Sequence, residues 1–93
     1  MCGIAGFLTR AALDGAAAGL VRGMGDALAH RGPDGAGEWL DAEAGIALAH
    51  RRLAIVDLSE AGHQPMTSAD GRWVMAFNGE INNHLEIRAS LQA

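Results

Sequence analysis

The order of elements in this 93-residue sequence predicts an α+β domain. An apolar run with interspersed glycine opens the chain. A pattern of apolar residues at three- and four-residue steps follows, then three short apolar stretches close together, then a second helical pattern. Strand, helix, adjacent strands and helix is the order of an antiparallel sheet with helices packed on it. Apolar residues make up 49% of the chain and charged residues 19%, which excludes a disordered class. Alanine supplies much of that apolar content and aromatic residues only 4%, so one domain with a thin core is expected.

The elements follow in order. "CGIAGFLT" reads as a buried strand whose glycines allow close backbone approach. From Ala11 to Ala29 an amphipathic helix is expected, because Leu13, Ala17, Leu20, Val21, Met24 and Leu28 recur at helical spacing. Asp14 is its candidate cap, and Gly19, Gly23 and Gly25 weaken it. "HRGPDGAG", His30 to Gly37, is dense turn chemistry that ends the helix. "EWL", "GIALAHRRLAIVDL" (split near His50–Arg52) and "RWVMAFNG" read as strands. "SEAGHQPMTSADG" is a polar loop between the last two, and "INNHLEIRASLQA" starts a helix.

Bulk properties exclude several classes. A formal charge of −4 without clustered basic residues argues against nucleic acid. No run approaches a membrane span, and the start lacks the basic segment of a secretory signal. The single cysteine excludes an internal disulfide, so a reducing cytoplasm is the expected location. His30, His50, His63 and His84 lack metal-ligand spacing; they read as structural or surface residues, with no metal expected.

Three stretches could carry chemistry. Cys2 follows a removable Met1, and trimming leaves a thiol beside an α-amine that can act as its base. A buried strand thiol is an equal reading of that position. In "HRRL", Arg51 and Arg52 alternate faces if extended, so one can point inward toward a carboxylate; two solvated arginines at a strand end are the plainer reading. In "FNGE", the Asn78 amide and the Gly79 N–H form a donor pair suited to an acyl-transfer oxyanion, and Glu80 could balance an ammonium. A hairpin turn is the commoner meaning of Asn-Gly. Asp34 could accept bonds from amides of its own loop.

"MCGIAGF", "HRGPDG", "LAHRRLAIVDLSEAGHQPM" and "FNGEINN" stand in order along the chain. Together they resemble the amino-terminal glutaminase domain of asparagine synthase (glutamine-hydrolysing), a class II glutamine amidotransferase. The resemblance implies that Cys2, freed of Met1, attacks the side-chain amide of L-glutamine and forms a thioester that water cleaves. It implies Arg52 as the grip on the glutamine α-carboxylate, Asn78 and Gly79 as oxyanion donors, and Glu80 as the partner of the α-amine. Backbone groups from Leu53 through Ile55 to Val56 would line the pocket. The implied fold is the α-β-β-α sandwich of N-terminal nucleophile hydrolases, incomplete in residues 1–93.

Two departures stand out. Asn82 takes the place of the family's usual Tyr. The family's glutaminase domain also runs on beyond this length and is followed by a synthetase domain. That domain, with ATP, Mg and the acceptor aspartate, is expected outside these residues, and a homodimer is among the assemblies considered. The alternatives are another class II glutamine amidotransferase, or a catalytically silent truncated chain that acts by protein interaction.

Overall fold

The structure is a computed structural model that describes residues 2–54 and 60–93. Three strands form its main sheet: β1 (Gly3–Leu8), β2 (Gly35–Asp41) and β3 (Ile46–Arg52). β3 lies in the centre, antiparallel to both neighbours. Helix α1 (Ala17–Asp26) packs across all three strands. A two-stranded ribbon, β4 (Met66–Thr67) with β5 (Val74–Met75), follows a 3₁₀ turn at Glu60–Gly62, and helix α2 (His84–Gln92) comes last. The α+β class is as expected.

The core is thin, as the alanine content implied. Val21, Ala47 and Ala49 form its buried cluster, with Phe7 and Leu13 packed against it. Small side chains let the helix approach the sheet closely. A methyl group built on Gly25 would already lie 3.3 Å from the Ala49 methyl. Among the described residues α2 packs against no other helix or strand, and none of its side chains is buried.

Several boundaries differ from the sequence reading. The helix expected from Ala11 begins only at Ala17, because the preceding residues spend their backbone groups on the β2–β3 turn. Thr9 N–H donates to Gly45 O (2.7 Å) and Leu13 N–H to Ala42 O (2.8 Å). Gly45 has φ +75°, a left-handed conformation that suits glycine at this turn. Asp14 accepts the Ala16 N–H at 2.9 Å and forms a local turn ahead of α1 rather than its cap. Past Asp26 the bonds shorten to i→i−3, as from Leu28 N–H to Gly25 O, so the chain unwinds through turns to His30. Leu20 falls off the packed face and is exposed.

The loop expected through Gly37 yields to strand at Gly35. The third expected strand keeps only Val74–Met75. The hairpin is not at Asn78-Gly79, where the chain merely bends and runs on to α2. It lies at Ser68–Trp73, inside the expected polar loop: Ser68 N–H donates to Trp73 O at 2.9 Å, and Gly71 has φ +74°. The exposed Asp70 carboxyl there is held below its ordinary pKa, first by the Ser68 hydroxyl and then by the Arg72 N–H.

Pairing register sorts side chains between the two faces of the sheet. Ala5 opposes Ala49 and Phe7 opposes Ala47 on the face that α1 covers. Ile4 opposes His50 on the other face, and His50 in turn opposes Gly37. Continuing that alternation, Cys2 and Arg52 belong with His50 on the face away from α1.

Candidate active site

Cys2 stands one residue before β1 and Leu53 one residue after β3, so antiparallel pairing brings them side by side. The Leu53 N–H donates to Cys2 Sγ at 3.3 Å, and the thiol lies 3.9 Å from Leu53 O. The cysteine is half-buried. Its sulfur is therefore held by backbone at the open end of the sheet rather than sealed in the core.

The far side of the same segment is gripped by Asp34. Its N–H donates to Arg52 O and its carboxylate accepts the Ala54 N–H, both at 2.9 Å. Asp34 thus serves a distant strand end and not its own loop, contrary to the sequence reading.

The two arginines part company here, as alternation allowed. Arg51 turns toward α1, where its Nε–H donates to Gly32 O at 2.9 Å and its guanidinium lies 4.0 Å from Asp26. Arg52 goes to the Cys2 face, with its guanidinium lying against Gly62, where a β-carbon would collide with it. Neither is a solvated strand end. Arg52 is half-exposed, with its charge near His50.

His50 is the largest fully buried side chain. Burial pushes its pKa below the ordinary histidine value; the bond to the Phe77 carbonyl opposes that, and the nearby His63 and Arg52 reinforce it. Its Nε2 lies 3.2 Å from Phe77 O. A carbonyl can only accept, so Nε2 carries the proton. On the other side of the same residue, the Phe77 N–H donates to Gln64 Oε1 at 2.6 Å. These two bonds tie the segment before Asn78 to β3 and to the loop at Gln64.

Asn78 is half-buried; Gly79 and Glu80 are exposed. The Phe77 ring lies over Gly79, 2.8 Å from where its β-carbon would be. Cys2, Arg52 and Leu53 are thus brought together, and Asn78 and Gly79 follow a residue anchored on the same sheet. Glu80 is not drawn in by any described contact. Ile55 and Val56 lie outside the described residues. Sequence reading missed His50 and Gln64 as parts of this region; the signal was His50's even spacing from Arg52 along one strand. Among the described residues no group of three or more His, Cys, Asp or Glu side chains could hold a metal ion.

The glutamine amidotransferase domain family matches residues 1–93, the whole chain. The chain belongs to that family. It is 42% identical over 93 residues to asparagine synthetase [glutamine-hydrolyzing] 2 of Bacillus subtilis, covering 98% of this chain and 12% of the relative. It is 48% identical over 65 residues to a probable asparagine synthetase [glutamine-hydrolyzing] of Schizosaccharomyces pombe, covering 70% of this chain and 11% of that protein. Amidase chry2 of Gibberella zeae is 36% identical over 100 residues, with 98% of this chain and 15% of the amidase covered. The chain therefore spans about an eighth of the length of these relatives. No solved structure matches it. No helix among its described residues is long and apolar enough to cross a membrane.

Proposed function

We propose that this chain is the nucleophile-bearing part of a glutamine-hydrolysing asparagine synthetase. With Met1 removed, the Cys2 α-amine, titrating near ~8, takes the thiol proton. Sγ adds to the glutamine side-chain carbonyl and an oxyanion forms, which the Asn78 amide and the Gly79 N–H stabilise. The C–N bond breaks, ammonia leaves with the proton returned from the α-amine, and a γ-glutamyl thioester remains. Water adds to that thioester and releases glutamate and the free thiol. Arg52 holds the substrate α-carboxylate and Glu80 its α-amine.

The observation that carries this reading is the pairing of Cys2 Sγ with Leu53, next to Arg52, on the sheet face that α1 leaves open. The exposed Ile4 and Leu8 on that face also support reading the sheet and α1 as one half of an α-β-β-α sandwich of the N-terminal nucleophile type. ATP, magnesium and aspartate would be bound by residues beyond this sequence, in a cytoplasmic protein, and a homodimer is part of the proposal. The likeness to an amidase supports placing the choice of ammonia acceptor outside these residues.

The test is Cys2→Ser in the full-length protein. Glutamine hydrolysis should be abolished while asparagine synthesis from free ammonia persists. Glutamine hydrolysis surviving the substitution would remove Cys2 as the nucleophile.

A further inference from the structure

We propose that His50 and Gln64 are positioning residues that fix the oxyanion donors by holding both backbone groups of Phe77, a role that rests on the glutamine-hydrolysis reading above. A peptide unit is planar, so a bond to its carbonyl also sets the direction of the next N–H. The His50 Nε2–H, 3.2 Å from Phe77 O, orients the unit that leads into Asn78. Gln64 Oε1, 2.6 Å from Phe77 N, orients the unit before it. With both units held, φ and ψ of Phe77 are fixed, and so is the starting point for Asn78 and Gly79.

One arm of the clamp is built on the central strand. His50 sits in the central strand and is 1% exposed. Gly37, its direct partner in β2, has no side chain, and the Gln64 backbone occupies the space that leaves. A β-carbon at Gly37 would collide with the Gln64 carbonyl and come within 2.9 Å of His63 Nε2. Two separate stretches of chain thus meet at one residue, Phe77, whose exposed side chain does not itself require such anchoring. A catalytic donor pair needs this kind of support, because small displacements of a donor weaken it steeply.

The experiment measures glutamate release and amide exchange in the full-length protein. Gln64→Met removes the acceptor at similar volume, and Gln64→Glu keeps it. Gln64→Met should lower kcat on the order of 10–10²-fold with KM for glutamine little changed, as misplacement of a catalytic group does. It should also speed exchange of the Phe77 amide while leaving Ala47 and Ala49 protected. Gln64→Glu should restore most of both. His50→Gln, which keeps a donor near the Nε2 position, should retain more activity than His50→Leu. Wild-type kcat in Gln64→Met would overturn the positioning role while leaving the glutamine reading intact. A wild-type protein that releases no glutamate would overturn that reading, and the positioning role with it.

Discussion

Arg51 and Arg52 are neighbours in sequence and opposites in structure. Arg51 faces the helix, where its side chain is 16% exposed and closes the joint between α1 and the loop at Gly32. Arg52 faces away from the helix, beside His50 and one residue from the backbone that holds Cys2. The first face is finished: Val21, Ala47 and Ala49 are all at most 1% exposed. The second carries His50 and Arg52, while Ile4 and Leu8 on it remain exposed. One strand thus supplies a packing surface and, by alternation, a second surface that carries His50 and Arg52.

The largest effect that should separate the faces is on rate. Asn78→Ala should lower kcat for glutamine by on the order of 10²–10³, with little change in KM, since the donor acts when charge develops on the carbonyl. A loss confined to thermal stability would make the segment structural.

Next comes the arginine pair itself. Arg52→Lys should raise KM for glutamine roughly tenfold, because an ammonium cannot match the carboxylate's two oxygens as a guanidinium does. Arg51→Lys should leave KM alone and cost about 1 kcal/mol of stability through the lost bond to Gly32 O. Reversed outcomes, read from steady-state kinetics and denaturant melts, would exchange the two assignments.

The smallest effect is the pH dependence from His50. Its pKa is lowered in the folded state, so on acidification the unfolded chain takes up the proton first. Stability from this group is complete above the unfolded value of about 6.5 and is lost as pH falls through it, at no more than about 1.4 kcal/mol per pH unit. His50→Gln should flatten the stability profile between neutral pH and mildly acidic pH. An unchanged profile would show that His50 does not dominate it.

What was legible in the sequence was local. Alternation allows Arg51 and Arg52 to part if the segment is extended, helical spacing picks out Ala17 and Val21, and the alanine content implies a thin core. What was not legible depends on partners far along the chain. Asp34 meets Ala54 across 20 residues, and His50 meets Phe77 across 27. No periodicity encodes such bonds, so the sequence alone points Asp34 to its own loop and His50 to a structural or surface place. The helix start also differs: Leu13 has the right spacing, but Ala11 O, which a helix from Ala11 would need as an acceptor, takes the Thr9 hydroxyl at 2.6 Å.

The most direct test of the account is to find where the glutamyl group goes. The full-length protein is mixed with glutamine, quenched in acid during turnover, and its amino-terminal peptide is weighed by mass spectrometry. The account predicts a peptide that begins at Cys2, without Met1, and gains one glutamyl group on the sulfur. A retained Met1 in active protein, or a glutamyl group found on a different residue, would contradict it.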